Sequence, residues 1–308
     1  MTENPRIRGV LAPVVTPFTK ELAPDSQRFL AHCRWLLAQG SGLAIFGTNS
    51  EANSLSLDER LALLDFLLDA GIDPARMMPG TGSCALTEAV QLTERATRAG
   101  CAGVLMLPPF YYKNLAEEGL FRFFSEIVER VGDARLRIYL YHIPPVTMVG
   151  FSPGLVERLL ARYPGVIAGM KDSSGDWNNT KAMLDNFAAS GFDVFVGSET
   201  FLLANMQHGG VGCISATANV NPAAIDRLFR GWQEDDAGTR QQRLDAVRGV
   251  VERAALLPAL KAVLARYRND PVWATVRPPL VELDLAQRQA LYQGLDALEF
   301  AMPGLDAG

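Results

Sequence analysis

The chain has 308 residues, of which 48% are hydrophobic and 20% charged, with a formal net charge of −5 and a pI near 5.4. This balance is typical of a globular protein that can bury a sizeable core. The acidic charge and the lack of a long basic run argue against nucleic acid and anionic membrane surfaces as partners.

No apolar run reaches the roughly 18 to 20 residues that a membrane helix needs, and the N-terminal MTENPRIRGV lacks the apolar core of a signal peptide. The four cysteines follow no CxxC or zinc-site spacing; they are Cys33, Cys84, Cys101 and Cys213. These features favour a cytoplasmic enzyme with reduced thiols.

Eight short runs that are almost entirely apolar recur along the chain and predict strands. In chain order they are GVLAPVV (9–15), GLAIFG (42–47), RMMPGTG (76–82), GVLMLPP (103–109), RIYLYHIP (137–144), VIAGMK (166–171), DVFVG (193–197) and GVGCISA (210–216). Such runs do not alternate between polar and apolar residues, which is typical of strands buried on both faces in a parallel sheet.

Amphipathic segments between these runs predict helices, several of which begin at a Ser, Thr or Asp cap and end at Gly. The segment Ser56–Glu59 is a capping box. Most strands follow one another at roughly 27 to 34 residues, which favours an α/β fold of the (β/α)8 TIM-barrel type over 1–225. Residues 226–308 are predicted to hold the last barrel helix and an additional C-terminal helical segment.

The active sites of such barrels lie at the carboxyl ends of the strands. Four candidate residues lie at or just beyond the ends of predicted strands two, four, five and six: Thr48, Tyr111, Tyr141 and Lys171. The sequence therefore predicts that these side chains converge on one mouth of the barrel.

Lys171 ends the run VIAGMK in a chain that has only five lysines among 29 basic residues. A poorly solvated lysine favours the neutral amine that attacks a carbonyl. A salt bridge to Asp172, or to a carboxylate on a neighbouring loop, explains the same position equally well. Tyr141 either passes protons to a substrate or fills the barrel as a packing residue.

Other motifs also carry two readings. GTNSE, which follows the second predicted strand, either cradles a carboxylate with its backbone N–H groups or is an ordinary turn. PPFYY can serve the site and a subunit interface at once, because the two roles are compatible. His142 is predicted to pack on the face opposite Tyr141, and His32 to lie on the outer face of its helix. No GxSxG, P-loop or HExxH motif supports a hydrolase, kinase or zinc protease.

Taken together, GTNSE, PPFYY, YHIPP, GMKDSSGD and GGVGCISATANV resemble, in order and spacing, the family of dihydrodipicolinate synthase and N-acetylneuraminate lyase. The resemblance spans about residues 7–300. It implies a TIM barrel, no cofactor and no metal, a small-molecule 2-oxo acid substrate, and a homotetramer built as a dimer of dimers.

The resemblance also implies roles for individual residues. Lys171 matches the imine-forming lysine and Tyr141 the proton-relaying tyrosine. Thr48 and Asn49 match the pair whose backbone amides hold the substrate carboxylate, and Ile214 matches a position whose carbonyl lies near the substrate. The tyrosine that crosses the dimer interface corresponds to Tyr111, with Tyr112 as a competitor.

The synthases usually carry an arginine just after the motif that YHIPP matches. This chain departs from them there, since Val146 stands near that place. Val146, Thr147 and Met148 are expected to line the distal pocket and to suit a less anionic tail. GMKDSSGD is similar to catabolic members, so we expect cleavage of a 4-hydroxy-2-oxo acid or 2-keto-3-deoxy sugar acid to pyruvate and an aldehyde. Alternatives are a true synthase that condenses pyruvate with aspartate semialdehyde, or a dehydratase or deaminase of related acids.

Two different classes compete with this hypothesis. A metal-dependent aldolase needs a cluster of histidines and carboxylates at strand ends, and the chain has only three histidines. A barrel kept for ligand binding or regulation needs neither the lysine nor the tyrosine, and both are present.

Overall fold

The computed structural model describes residues 6–305; residues 1–5, on which part of the signal-peptide prediction rests, and 306–308 lie outside the described residues. The chain divides into two compact units. The first unit holds residues 6–8 and Asp73–Ile214, and the second holds Gly9–Ile72 and residues 215–305.

Seven strands form within the described residues, and all of their pairings within each unit are parallel. They are β1 (Gly9–Ala12), β2 (Gly42–Leu43), β3 (Val104–Met106), β4 (Ile138–His142), β5 (Ile167–Asp172), β6 (Asp193–Val196) and β7 (Gly212–Ile214). In the first unit, β3, β4, β5 and β6 each pair with the next strand in sequence, and in the second unit β1 pairs with β2. Every strand residue is buried, as the unbroken apolar runs predict.

Helices follow the strands in both units. They are α1 (Ser26–Ala38), α2 (Leu57–Asp69), α3 (Leu86–Ala99), α4 (Glu117–Val131), α5 (Pro144–Thr147), α6 (Pro153–Arg162), α7 (Trp177–Phe187), α8 (Leu202–Gln207), α9 (Pro222–Arg230), α10 (Ala237–Val251), α11 (Leu256–Tyr267) and α12 (Leu285–Asp296). The predicted boundary at residue 225 falls inside α9, and the division into 1–225 and 226–308 stays a prediction.

Helix starts follow the cap chemistry of the sequence. At α2 the capping box is confirmed, since the Ser56 hydroxyl accepts a hydrogen bond from the Glu59 backbone N–H at 3.1 Å while the Glu59 carboxylate accepts one from Ser56 at 2.9 Å. At α6 the Ser152 hydroxyl accepts a hydrogen bond from the Leu155 backbone N–H at 3.1 Å. These bonds satisfy N–H groups that the first turn of a helix leaves without partners.

The glycine of GMK allows β5 to approach its neighbours closely. A Cβ atom placed on Gly169 would lie 2.1 Å from the Asp193 carbonyl oxygen on β6 and 2.9 Å from the Tyr139 ring on β4. Only a residue without a side chain fits there, so this glycine sets the spacing of the three central strands.

The third predicted strand, 76–82, is reduced to an isolated parallel bridge between Gly80 and Leu105. Leu105 donates to the Pro79 carbonyl at 2.9 Å and accepts from Thr81 at 3.0 Å. Pro79 has no N–H and restricts the residue before it, which explains why the ladder does not extend toward Met77. The second predicted strand is also shorter than expected, because the chain leaves β2 and enters a left-handed conformation at Phe46.

His32 was expected on the outer face of α1, but the structure buries it completely. Its ring stacks on Trp35 at 5.6 Å and meets the edge of Trp273 at 5.4 Å. The short turn Pro271–Ala274, far along the chain, covers this face. Burial lowers the pKa of His32 to about 3.

Membrane crossing needs a long apolar helix, and no helix between residues 6 and 305 has the required length and apolarity.

Candidate active site

Lys171 and Tyr141 lie side by side near the carboxyl ends of neighbouring strands. Strand register pairs Tyr141 of β4 with Lys171 of β5, and the lysine Nζ atom lies 4.2 Å from the centroid of the tyrosine ring. The two residues are 2% and 3% exposed, so the amine is almost removed from water. The sheet itself therefore places a buried amine against a phenol.

Asp172 does not neutralise this lysine. Its carboxylate accepts hydrogen bonds from the Ser174 backbone N–H at 2.8 Å, the Asn179 amide at 2.8 Å and the Thr180 hydroxyl at 2.7 Å. Successive residues of a strand point to opposite faces, and within residues 6–305 the structure shows no ion pair between Lys171 and Asp172. Asp172 is therefore not the salt-bridge partner of Lys171.

His142 occupies the opposite face of β4, as predicted, and packs there. Its Nδ1 atom accepts a hydrogen bond from the Phe151 backbone N–H at 3.0 Å. Burial lowers the pKa of His142, although the nearby Asp172 carboxylate acts in the other direction. A neutral ring with an occupied Nδ1 atom serves the structure of the loop that follows β4.

Ile214 is the last residue of β7 and is fully buried. The register carries Lys171 across to Phe195 of β6 and on to Gly212 of β7, two residues before Ile214. Because all these strands run parallel, Ile214 lies at the same edge of the sheet as Lys171 and Tyr141. The first unit thus brings three predicted site residues to one edge.

Tyr111 and Tyr112 lie in the loop between β3 and α4 and are 72% and 70% exposed. Their rings meet edge to face at 5.2 Å. The side chain of Lys113 donates to the backbone carbonyls of Phe110 and Thr147, the latter at 2.9 Å, and so ties this loop to the one after β4. In the isolated chain the two tyrosines present an apolar surface rather than a filled pocket.

The loop after β4 only partly matches its predicted role. Val146 and Met148 are 62% and 72% exposed, as pocket-lining residues can be. Thr147, in contrast, is buried, and its hydroxyl donates to the Val149 carbonyl at 2.7 Å, with the Ile143 carbonyl 3.0 Å away as a second acceptor. The expectation that Thr147 lines the pocket is therefore wrong, because its polar group is needed to close the turn.

In the second unit, Thr48 and Asn49 lie together on a short 3₁₀ turn, Thr48–Ser50, and both are partly exposed. The Gly47 backbone N–H donates to the Ser50 hydroxyl at 3.2 Å, and the Thr16 hydroxyl donates to the Ser50 carbonyl at 2.7 Å. The start of such a turn presents backbone N–H groups, which suit an anion.

Sequence reasoning missed the residues that support this turn. Glu51, directly after it, forms a buried ion pair with Lys261 of α11. The available signal was the scarcity of lysine, since Lys261 interrupts an apolar helix that otherwise uses arginine for its charges. Its partner was not recognisable because the two residues lie far apart in the chain.

A metal-dependent site needs several ligands close together. Within the part of the chain that the structure describes, no three His, Cys, Asp or Glu side chains form a group that could hold a metal ion.

The comparisons with known proteins agree with one another. The model of the dihydrodipicolinate synthetase family matches residues 6–298. An uncharacterized DapA-like lyase of Chloroflexus aurantiacus is 32% identical over 296 residues, which are 94% of this chain and 97% of that protein.

Two solved structures cover nearly the whole chain. The dihydrodipicolinate synthase of Agrobacterium tumefaciens is 32% identical with a TM-score of 0.88, covering 95% of this chain and 99% of that one. A prophage protein of the same family from Escherichia coli K12, solved with pyruvate, is 26% identical with a TM-score of 0.86, covering 96% and 99%. The resemblance predicted from the five motifs is confirmed. The chain belongs to the dihydrodipicolinate synthetase family and is an enzyme of the lyase class.

Proposed function

We propose that this lyase cleaves a hydroxylated 2-oxo acid, either a 4-hydroxy-2-oxo acid or a 2-keto-3-deoxy sugar acid, to pyruvate and an aldehyde through an imine on Lys171. One observation carries the proposal. Lys171 is 2% exposed, has no ion pair with Asp172, and holds its Nζ atom 4.2 Å from the centroid of the Tyr141 ring. A buried amine beside a phenol is the pair that imine formation requires.

The reaction follows from these two groups. The neutral Lys171 amine attacks the C2 ketone, and Tyr141 moves the protons with which the resulting hydroxyl leaves as water. The cationic imine accepts the electron pair of the breaking C3–C4 bond, while the C4 hydroxyl loses its proton and becomes the carbonyl of the departing aldehyde. The enamine then takes a proton at C3, and water hydrolyses the imine to release pyruvate and the free lysine.

The remaining predicted residues bind the substrate or relay protons. In this proposal the backbone amides of Thr48 and Asn49 hold the carboxylate, the Ile214 carbonyl lies near the substrate, and Thr48 extends the proton relay of Tyr141. Tyr111 completes that relay from a second copy of the chain, with Tyr112 as the alternative. The exposure of both tyrosine rings supports such a contact, since large apolar side chains are enriched at subunit interfaces.

The distal pocket favours a substrate without a second strong anion. The exposed apolar side chains of Val146 and Met148 stand near the place where the synthases carry an arginine. An apolar surface cannot pair with a carboxylate, so a hydroxylated tail fits better than the carboxylate of aspartate semialdehyde.

A second candidate is synthesis of 4-hydroxy-tetrahydrodipicolinate from pyruvate and aspartate semialdehyde. It is favoured by the 32% identity and 0.88 TM-score to the Agrobacterium tumefaciens dihydrodipicolinate synthase. The same imine serves both reactions, because an enamine that can be formed by cleavage can also attack an aldehyde. A dehydratase or deaminase of a related 2-oxo acid also starts from this imine.

Borohydride trapping tests the imine. The protein is incubated with pyruvate, reduced with borohydride and digested, and the mass increase is mapped to a peptide. We expect the adduct on Lys171 and none in Lys171→Arg. Lys181→Arg is the matched control, because Lys181 is partly exposed on α7 and paired with Asp185 at 2.6 Å. An unmodified Lys171 in an active enzyme would overturn the proposal.

A substrate panel separates the candidate reactions. Pyruvate release from 4-hydroxy-2-oxo acids and 2-keto-3-deoxy sugar acids is measured beside the condensation of pyruvate with aspartate semialdehyde, with and without EDTA. Faster condensation than cleavage would favour the synthase, and a 2-oxo acid consumed without pyruvate release would favour a dehydratase or deaminase. Loss of activity in EDTA that a divalent ion restores would favour a metal-dependent aldolase.

We also propose the overall fold, the cellular compartment and the oligomeric state that family membership suggests. The parallel strands and helices form the family's TIM barrel, with the bridge at Gly80 in place of a full third strand and with 226–308 as the last barrel helix and C-terminal extension. The enzyme works in the cytoplasm as a homotetramer, which sedimentation velocity tests directly. Family membership and the coverage of the solved structures support these proposals.

A further inference from the structure

Two buried charged residues, Glu51 and Lys261, form a cluster with the partly buried Arg277 next to the Thr48–Ser50 turn. The side chains of Glu51 and Lys261 are 1% and 0% exposed and form an ion pair. The Lys261 ammonium also donates to the Thr275 carbonyl at 2.8 Å, and the Arg277 backbone N–H donates to the Glu51 carboxylate at 3.0 Å. The residue that ends the turn is thus fixed from two separate segments.

The side chain of Arg277 extends this cluster to α2. Its guanidinium donates to the Ser54 carbonyl at 2.6 Å and to both carboxylate oxygens of Glu59 at 2.5 and 2.8 Å. The Phe18 ring is shared by both cations, with the Lys261 Nζ atom 4.3 Å and the Arg277 Cζ atom 4.7 Å from its centroid. Helix α2, helix α11 and the turn are joined by one set of contacts.

The backbone on either side of the turn is in an unfavourable conformation. Phe46 and Glu51 have φ angles of 61° and 55°, in the left-handed region that residues other than glycine seldom adopt. Such strain persists only where surrounding contacts determine the conformation, and it is concentrated at functional sites. Here the contacts at the second strained position are those of the Glu51 carboxylate.

Stability alone does not account for the ion pair. Removing two charges from water costs about as much free energy as their attraction returns, so an apolar pair of similar volume is often at least as stable. Burial lowers the pKa of Lys261 to about 8, against the opposing effect of Glu51. A buried pair of this kind is retained most readily where it fixes a particular geometry.

We propose that the ion pair between Glu51 and Lys261 positions the Gly47–Ser50 turn for carboxylate binding, so that its backbone N–H groups meet the carboxylate of the 2-oxo acid. Glu51 and Lys261 are then positioning residues that act through the turn and do not touch the reacting atoms. The inference rests on the proposed function and deepens it, because it separates carboxylate recognition from imine chemistry.

The test compares two ketones that differ in the carboxylate. Borohydride trapping at Lys171 is titrated with pyruvate and with its uncharged ester, methyl pyruvate, in wild type, Lys261→Met, Glu51→Ala and Glu51→Gln. Leu264→Ala is the matched control, because Leu264 is fully buried one turn further along α11 and its loss destabilises the same helix without altering the ion pair. Melting temperatures are recorded for every variant.

We expect Lys261→Met and Glu51→Ala to raise the half-saturating pyruvate concentration by about 10-fold or more, with unchanged trapping at saturation. Glu51→Gln keeps an acceptor for the Arg277 N–H and is expected to show a smaller rise. Methyl pyruvate should be trapped equally well by all variants, since it offers no carboxylate. Leu264→Ala should lower the melting temperature and leave the half-saturating pyruvate concentration unchanged. Because Glu51→Gln preserves side-chain volume, it reports on the inference even where Lys261→Met does not fold.

Two results would overturn the inference while leaving the proposed function intact. One is a half-saturating pyruvate concentration equal to that of the wild type in Lys261→Met or in the two Glu51 variants. The other is a parallel loss for pyruvate and methyl pyruvate, which would show a general effect on the site. Failure of the wild-type enzyme to form any adduct on Lys171 would instead overturn the proposed function itself.

Discussion

Two of the five lysines are buried, and their surroundings give them different properties. Lys171 lies against the Tyr141 ring and forms no ion pair with Asp172, whereas Lys261 is paired with Glu51 and donates to a backbone carbonyl. The first could be recognised from the sequence because a lysine at the end of an apolar strand is conspicuous. The second could not, because its partner comes from a loop more than half the chain away.

Removing the phenol of Tyr141 should slow the chemistry more than it weakens binding. Tyr141→Phe keeps the ring beside Lys171 but cannot transfer a proton, so we expect kcat to fall by about 10²- to 10⁴-fold with a smaller change in KM. Steady-state pyruvate release measures this effect.

Tyr139→Phe is the matched control for that substitution. Tyr139 is a fully buried tyrosine on the same strand, and its hydroxyl donates to Asp193 at 3.3 Å. Its loss should leave kcat within a few-fold of wild type. Equal losses in the two variants would contradict a proton relay through Tyr141.

At the level of elements, the apolar runs predicted where strands begin but not how far they extend. The run at 76–82 contains a proline that the periodicity does not penalise, and Pro79 limits the strand to a bridge. The turn after β2 is equally hidden, since nothing in GLAIFG signals that Phe46 adopts a positive φ. Both features depend on contacts with neighbouring elements rather than on local propensity.

Strand spacing at β5 gives a prediction at this scale. Gly169→Ala places a Cβ atom 2.1 Å from the Asp193 carbonyl, so β5 and β6 must separate, and we expect a loss of about 1–3 kcal/mol in the free energy of unfolding. Because Lys171 lies two residues further along β5, trapping by pyruvate should also fall at temperatures where the variant is folded.

A glycine-to-alanine substitution in a helix should instead raise the free energy of unfolding. Gly119 lies in α4, and an added Cβ would meet no atom within 4 Å. Gly119→Ala should therefore stabilise the protein by about 0.4–1 kcal/mol. Chemical denaturation compares both variants, and a stable Gly169→Ala would contradict the close approach of the strands.

At the scale of the whole molecule, segments from the end of the chain complete structures that begin near its start. Trp273 covers His32, and Arg277 holds Glu51. The sequence identified α1 and the GTNSE turn correctly as local features. It misplaced His32 because the residues that bury it are supplied by a segment far along the chain.

The buried histidine predicts how stability depends on pH. Arg268 donates to Nδ1 and Nε2 faces the Asn219 amide oxygen, both at 3.3 Å, an arrangement that suits the neutral ring. The unfolded chain takes up a proton near pH 6.5, whereas the folded chain does so only near pH 3. Between these values the unfolded state binds more protons, so stability is lost as the pH falls, by up to about 1.4 kcal/mol per pH unit.

Urea unfolding between pH 7 and 4.5 measures this slope. His32→Gln removes the titrating group and should flatten the curve, with His142, whose pKa is also lowered, supplying the remainder. The control is His208→Gln, because His208 is exposed at the end of α8. A slope that is the same in His32→Gln and wild type would show that His32 does not govern acid stability.

The register between β4 and β5 has a consequence for the evolvability of the enzyme. Tyr141 and Lys171 are aligned by main-chain hydrogen bonds of the sheet, whereas Val146, Met148 and the tyrosine pair belong to loops that follow the strands. In the proposed function, the reacting amine and phenol therefore lie on the strands, whereas the residues that select the substrate lie on the loops. Loops can be exchanged between relatives without realigning the amine and the phenol, so one reaction core can be matched to many aldehydes.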